Sequence, residues 1–233
     1  MATISPDAIA TTSFDHVALW VSDRGPLTEL LCERLGLHVV DSTDDFTLVG
    51  ADAREGKLTL FEAEDGRDPG LLERVILRVN DLDDAVSRLG GQYDVRRDGS
   101  SATFEAPEGL GIGLVESGGL DYDLDGAVLR VADPERAARE LAQLGFEERD
   151  GRLMIADRHL ALEPGGDGDS NRPLLNHLAM LVDSAEDVSR IADERGIEIE
   201  KTVDAENTVA VFLRGPERIL LEYVEHKPGF SLT

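Results

Sequence analysis

The chain has 233 residues, 41% of them hydrophobic, which is enough for one large domain or two small ones with a substantial core. Its 48 acidic residues outnumber 23 basic ones and give a formal net charge of −25, so electrostatic repulsion excludes nucleic acid and anionic membranes as primary partners. Only Lys57, Lys201 and Lys227 are lysines. This acidic, lysine-poor composition indicates adaptation to a high-salt (halophilic) cytoplasm.

The single cysteine, Cys32, rules out an internal disulfide and favours a reducing compartment. The sequence shows no charged-then-apolar leader, and no apolar run reaches the ~18 residues that a membrane span requires. We therefore predict a cytoplasmic protein, with residues 1–12 forming a polar N-terminal arm.

One sequence pattern occurs four times along the chain. Each copy begins with a strand-like apolar run, continues through a short acidic turn into an amphipathic helix, and stops at a glycine suited to a helix C-cap. Two or three further strand-like runs follow each copy. Because an internal repeat determines the architecture, we predict an α+β protein of four β-α-β-β-β modules paired into two cupped mixed sheets. The modules cover residues 13–65, 71–117, 120–164 and 174–226.

Four such modules, opening with strands of the type Phe-Asp-His-Val-Ala-Leu from Phe14, resemble the vicinal oxygen chelate superfamily. This group contains glyoxalase I, extradiol ring-cleaving dioxygenases and bleomycin-resistance proteins. The resemblance covers the chain from Phe14 to about His226. It implies that paired modules form a cup in which residues on their first and last strands hold a divalent metal, and that the metal binds neighbouring oxygens of a substrate.

The first strand of each module carries the position at which the superfamily places a histidine ligand. That position holds His16 in module one and His177 in module four, but Arg74 in module two and Gly126 in module three. A histidine in an apolar strand can also be a satisfied core residue, yet two at equivalent places favour metal binding. Arg74 could pair with Glu163 or lie at the surface.

The resemblance also implies a glutamate on the last strand of a module. Module four has Glu222 at that place, whereas module two has Gly113. In module one, strict spacing from the histidine gives Phe61. Strand alternation, which groups Glu62 with the apolar residues of its strand as it does Glu222, favours Glu62 instead.

A complete ligand set exists only if module one pairs with module four, which leaves modules two and three as a degenerate cup. We therefore predict one divalent metal (Fe, Ni, Zn or Mn) bound by His16, His177, Glu222 and Glu62, with the ring nitrogens ~3–4 Å apart. Glu222 and Glu62 are also the predicted catalytic carboxylates. Trp20 lies on the His16 face of its strand, where it either stacks on a planar substrate or belongs to the core.

The number of ligands separates two enzyme classes. Four ligands resemble the bacterial glyoxalase I set, in which a glutamate also serves as a base. Three ligands resemble the Fe(II) extradiol dioxygenases, which add an acid–base histidine and a tyrosine; Tyr223 should face away, but His38, His159 or His226 could approach the cup. We predict a monomeric or homodimeric metal-dependent lyase or dioxygenase acting on a small substrate. The alternative is a bleomycin-resistance-type protein that binds a small aromatic ligand without catalysis.

Overall fold

A computed structural model describes residues 9–149, 151–166, 168 and 170–232. Residues 1–8, most of the predicted N-terminal arm, lie outside the described residues. The last part of that arm packs against the body of the protein, because Ile9 is buried and the Thr11 hydroxyl donates a 2.8 Å hydrogen bond to the carbonyl of Gly145.

The first half of the chain contributes eight strands and two α-helices. The strands are β1 (Ser13–Val21), β2 (His38–Ser42), β3 (Phe46–Gly50), β4 (Lys57–Glu62), β5 (Leu72–Val79), β6 (Arg96–Asp98), β7 (Ser101–Glu105) and β8 (Gly111–Glu116). The helices are α1 (Arg24–Glu29), which continues as a wider π-helical turn over Leu30–Arg34, and α2 (Leu82–Arg88).

The second half repeats this order. Its strands are β9 (Leu124–Val131), β10 (Glu147–Arg149), β11 (Arg152–Ile155), β12 (Arg158–Pro164), β13 (Leu175–Leu181), β14 (Ile199–Asp204), β15 (Thr208–Arg214) and β16 (Leu220–His226). Its helices are α3 (Pro134–Ala142) and α4 (Ala185–Arg195). Short 3-10 turns cover Pro107–Gly109 and Pro216–Arg218.

The sixteen strands form two eight-stranded mixed sheets. The first sheet has the order β14-β15-β16-β13-β1-β4-β3-β2, and the second has the order β10-β11-β12-β9-β5-β8-β7-β6. In each sheet the two central strands are antiparallel first strands of a module, and each runs parallel to the last strand of its own module. The predicted fold class is confirmed, whereas the residue limits of each module stay predictions.

Local capping explains why the four helices begin where they do. Asp23, Asp81, Asp133 and Ser184 each accept a hydrogen bond from a backbone N–H in the first helical turn, which satisfies a donor that the helix leaves free. Gly196 ends α4 in the left-handed conformation, which glycine adopts without steric cost. None of the helices in the described part of the chain has the length and apolar character that crossing a membrane requires.

The first sheet has two different faces. Val17, Leu19 and Val21 of β1 point into the main hydrophobic core, which also includes residues of the second sheet and the helices. His16 and Trp20 point to the opposite face, which we call the cup.

A buried arginine connects the two sheets. Arg158 of β12 donates to the Ser13 hydroxyl at 2.6 Å and to the Asp123 carboxylate at 2.8 Å. Tyr223 of β16 is fully buried and donates its hydroxyl to the carbonyl of Leu144 at 2.7 Å. Because both contacts join different quarters of the chain, they fix the orientation of the sheet that carries the cup.

Candidate metal centre

The two histidines come together where β1 pairs antiparallel with β13. In each strand the ladder skips the residue before the histidine, Asp15 in β1 and Asn176 in β13, so each strand has a bulge at this point. A bulge re-aims a side chain that regular alternation would send to the other face. Each histidine therefore has a polar neighbour beside its ring.

Three potential ligand atoms converge at the centre of the cup. The Nε2 atoms of His16 and His177 are 3.0 Å apart, and Glu222 Oε2 lies 3.2 Å from the first and 2.8 Å from the second. All three side chains are largely shielded from solvent. Among the described residues, these three form the group of histidine, cysteine and acidic side chains that is close enough to hold a metal.

These separations fit a single metal ion. Three ligand atoms about 2.1 Å from one ion and at right angles to each other would be about 3.0 Å apart. Two imidazoles and one carboxylate on one side of an ion form the facial set found with divalent transition metals, and the remaining coordination positions stay open.

Hydrogen bonds on the far side of each ring fix its orientation. His16 Nδ1 lies 2.7 Å from Asp15 Oδ2, and His177 Nδ1 lies 3.0 Å from Asn176 Oδ1. Because both partners are acceptors, each ring carries a proton on Nδ1 and directs Nε2 into the cup. Such outer partners orient metal-binding histidines and increase their basicity.

The electrostatics of the cluster favour a cation. Burial alone would lower the pKa of His16, but hydrogen bonds and charge from Asp15 and Glu222 outweigh it and raise the pKa to about 9. Burial alone would raise the pKa of Glu222, but its close contacts with the two imidazoles and their charge outweigh burial and lower the pKa to about 2. Burial also lowers the pKa of His177. Two carboxylates therefore hold positive charge at this point.

The structure corrects the predicted fourth ligand. Glu62 lies outside the cluster, because its carboxylate is 56% exposed and accepts a 3.0 Å hydrogen bond from Arg24 Nε. The physical reason is the direction of β4: the face that Glu62 shares with Leu58 and Leu60 is the core face. Phe61 occupies the cup position instead, with its ring 6.2 Å from that of His177. Glu62 is therefore not one of the three clustered ligand residues, and its catalytic role stays a prediction.

An aromatic cavity of about 560 Å³ opens above the three ligands. Trp20 lines this cavity, so its place is the cup wall and not the core, with its ring 5.5 Å from that of Phe61. The ring of Phe212 lies edge-on to that of His177 at 5.3 Å. The aromatic side chains on the wall are Trp20, Phe46, Phe61, Phe212 and Phe230.

Two further residues complete the shell around His16: Lys57, which the sequence did not point to, and His226, one of the three histidines that could approach the cup. Lys57 is buried and donates to Asp15 Oδ1 at 2.9 Å and to the carbonyl of Ala53 at 3.0 Å. His226 Nε2 lies 3.4 Å from the same carboxylate oxygen, and its ring stacks on Phe230. The polar residue before each histidine is the signal that could have pointed to Asp15, whereas no local pattern points to Lys57.

The remaining histidines, His38 and His159, and the tyrosine beside Glu222, Tyr223, lie away from the three ligands. His38 is exposed on the edge strand β2. His159 pairs with Asp125 at 3.1 Å in the second sheet. Tyr223 points away from the cup, as expected.

The second sheet has no comparable cluster in the described residues. At the histidine positions, Arg74 donates to Glu163 at 3.0 Å, and Gly126 lies against the backbone of the neighbouring strand. A Cβ atom at Gly126 would lie 1.9 Å from the carbonyl oxygen of His159, so no larger side chain fits there. This half therefore has the module pattern without the ligands.

Solved structures share this architecture at low sequence identity. A candidate dioxygenase from Bacillus subtilis matches with a TM-score of 0.79 and 19% identity, over 96% of this chain and 88% of the other. Glyoxalase I from Zea mays matches with a TM-score of 0.70 and 19% identity, over 91% and 92%. The cppA protein of Streptococcus pneumoniae matches with a TM-score of 0.63 and 15% identity, over 93% and 99%.

No protein-family profile matches the sequence, and no curated protein matches it significantly. The likeness to known proteins is therefore one of fold. The chain has the fold of these structures, with two eight-stranded mixed sheets, as its four modules predicted.

Proposed function

We propose that this protein is a divalent-metal-dependent enzyme that acts on a small substrate with neighbouring oxygen atoms. His16, His177 and Glu222 would hold the metal, and the open side of this set would face the substrate in the cup. The observation that carries the proposal is the convergence of three ligand atoms within 3.2 Å of each other, with both imidazoles anchored at Nδ1.

Between the two enzyme classes, we favour an oxygenase of the extradiol type over a glyoxalase-like lyase. The lyase interpretation depends on a second carboxylate as the fourth ligand. The predicted residue, Glu62, is hydrogen-bonded to Arg24 outside the cup. Two histidines and one carboxylate are the ligand set typical of non-haem Fe(II) oxygenases. A bound metal of this kind supplies Lewis acidity toward the substrate oxygens and redox chemistry with dioxygen.

The side chains around the ligands have separate tasks. Asp15 and Asn176 keep the two Nε2 atoms directed into the cup. The aromatic wall, with Phe61 and Phe212 beside His177, excludes water and offers flat surfaces to a planar substrate. We assign proton transfer to His226, which lines the cavity and reaches Asp15.

The test is metal analysis of protein purified without chelator, followed by oxygen-uptake measurements with catechol on anaerobically reloaded protein. About one iron per chain with catechol-dependent oxygen uptake supports the oxygenase. Nickel or zinc with glyoxalase activity supports the lyase. Absence of any stoichiometric metal overturns the proposal and leaves the non-catalytic aromatic-ligand binder.

Two matched glutamate variants separate the ligand sets. Glu222→Gln should lose the metal, whereas Glu62→Gln should keep it, because only Glu222 lies in the cluster. Loss of metal from both variants would instead support a four-ligand set that includes Glu62, and with it the interpretation as a glyoxalase-like lyase.

Location and assembly remain proposals as well. The acidic composition supports a protein of a salt-rich cytoplasm, and a small cup supports a small-molecule substrate over a macromolecular partner. Activity that rises with added KCl would support the first of these. Light scattering of the purified protein would decide between monomer and homodimer.

A further inference from the structure

A row of side chains crosses the cup from the sheet edge to its centre. The strand register places the following residues directly opposite one another on adjacent strands, from β14 inward: Lys201, Phe212, Glu222, Ala179 and His16. Adjacent strands lie about 4.8 Å apart, so Lys201 is about 10 Å from Glu222 across the sheet. One end of the row thus holds an ammonium group and the other end holds the candidate metal ligands.

Lys201 reaches into the cup over an aromatic ring. Its Nζ lies 4.3 Å from the centre of the Phe212 ring, and that ring touches His177 edge-on. The ammonium is also close enough to His177 for its charge to add to the effect of burial, which lowers the pKa of that histidine. Lys201 is therefore exposed to solvent but also lines the cavity above the candidate metal ligands.

Lys201 differs from the other two lysines in that no carboxylate binds it directly. Lys57 is bound by Asp15, and Lys227 is bound by Asp204. Within the described ranges, Lys201 makes no hydrogen bond or ion pair. It has a cation–π contact with Phe212 and a longer-range electrostatic interaction with Glu200, whose carboxylate is bound by Arg214. In a chain with a net charge of −25, an exposed ammonium on a cavity wall that no carboxylate binds directly is a feature that needs an explanation.

The other charged residues of the cavity limit the places at which an anion could bind. Asp41 and Glu206 also line it, and their carboxylates would repel a negative group placed beside them. An anion in the cup would therefore be held at Lys201, while uncharged aromatic atoms would lie along the Phe61 and Phe212 rings. This arrangement recognises a flat ligand with one negative end.

We propose that Lys201 binds the carboxylate of an aromatic acid whose neighbouring oxygens face His16, His177 and Glu222. The proposal deepens the proposed function and rests on it for the second half of that statement. A single substituted ring, with contacts of about 2.1 Å to a metal and about 2.8 Å to an ammonium, fills the span between the two ends of the row. Lys201 thus selects charged over neutral aromatic ligands.

The experiment uses ligands that cannot chelate, so that it does not depend on the metal. Trp20 is the single tryptophan of the chain and lines the cup, so its fluorescence reports binding there. Metal-free full-length protein is titrated with phenylacetate and with its neutral isostere phenylacetamide. Phenylacetate should bind about tenfold more tightly, the size expected for a hydrogen bond to a charged group.

Three variants locate the preference. Lys201→Gln should bind both ligands equally, Lys201→Arg should retain the preference, and Lys227→Gln should behave as the native protein because its ammonium is engaged by Asp204. Equal binding by the native protein, no saturable quenching by phenylacetate, or a preference that survives Lys201→Gln overturns the proposal. Since metal content is measured separately, failure here leaves the metal centre standing, and failure of the metal centre leaves this result standing.

Discussion

The two sheets of this protein have the same strand order and the same bulges in their central ladder, but only one of them carries a ligand cluster among the described residues. In the first sheet the ladder skips Asp15 and Asn176, and in the second it skips Glu73 and Asp125 at the equivalent places. The bulge is therefore a property of the module, because it is present where no ligand follows it.

A close contact between an aspartate and a basic side chain behind the bulge is also shared. In the first sheet Asp15 binds Lys57 from the neighbouring parallel strand, and in the second sheet Asp125 binds His159 from the equivalent position. The imidazoles and Glu222 are what the second sheet lacks. The bulged backbone and the paired side chains behind it therefore belong to the fold, whereas the side chains of His16, His177 and Glu222 distinguish the candidate site.

The largest expected effect comes from removing a ligand in the first sheet, compared with removing the residue at an equivalent position in the second sheet. His177→Ala should reduce metal affinity by about 100-fold or more, because loss of a ligand exceeds the roughly 10–100-fold effect of losing an outer partner. Arg74→Ala should leave the affinity unchanged. Chelator competition measures both. Equal losses in the two variants would show that the metal is held by something other than the cluster.

The next largest effect concerns Gly126, the glycine of the second sheet at a position equivalent to the histidines of the first. Gly126→Ala should destabilise the fold by about 1–3 kcal/mol, because the new Cβ would lie 1.9 Å from the carbonyl oxygen of His159. Gly113→Ala is the matched control, since its nearest contact would be Ile76 Cγ1 at 3.4 Å. Urea unfolding measures the free energies. A neutral Gly126→Ala would contradict the close approach of the two strands.

A smaller effect tests the buried lysine behind the site. Lys57→Met removes the cation that holds Asp15 against His16, and metal affinity should fall by roughly 10–100-fold, as for other outer partners of metal-binding histidines. Lys227→Met serves as the control because it lies outside this hydrogen-bond chain. Circular dichroism verifies that both variants fold. Native affinity in Lys57→Met would show that the ion pair serves the fold alone.

The smallest effect concerns the equivalent charge pair of the second sheet and its dependence on pH. Burial alone would raise the pKa of Asp125, but hydrogen bonds from His159 and Arg78 outweigh it and lower the pKa. The carboxylate thus stabilises the fold above its unfolded pKa of about 3.9, and this stabilisation is lost as the pH falls through the lower folded value.

Asp125→Asn should therefore cost about 1 kcal/mol near pH 6 and less as the pH approaches 3. Stability curves of the native and variant proteins between these pH values measure the difference. A gap that stays constant or widens on acidification would refute the assignment of the lowered pKa to Asp125.

The sequence predicted the modules because their signals are local. Asp23, Asp81, Asp133 and Ser184 cap the helices that they precede, and the strand runs between them are long and apolar. The positions of His16 and His177 repeat within this frame, so the order of residues along the chain is enough to align the two histidines with each other.

The error at Glu62 has a different origin. Alternation along β4 correctly separates Phe61 from Glu62, but it does not say which of the two faces meets the core. The same limit applies to Lys201, whose importance comes from Phe212 and Glu222 on neighbouring strands. Contacts across a sheet depend on register, which the residues of one strand do not encode.

The ladder between β1 and β13 has a consequence for biosynthesis. The imidazoles of His16 and His177 are 161 positions apart in the chain. At ribosomal rates of roughly 5–20 residues per second, His16 would leave the exit tunnel about 8–32 seconds before His177. A nascent chain therefore cannot assemble the three-residue cluster until the strands that carry His177 and Glu222 have left the ribosome.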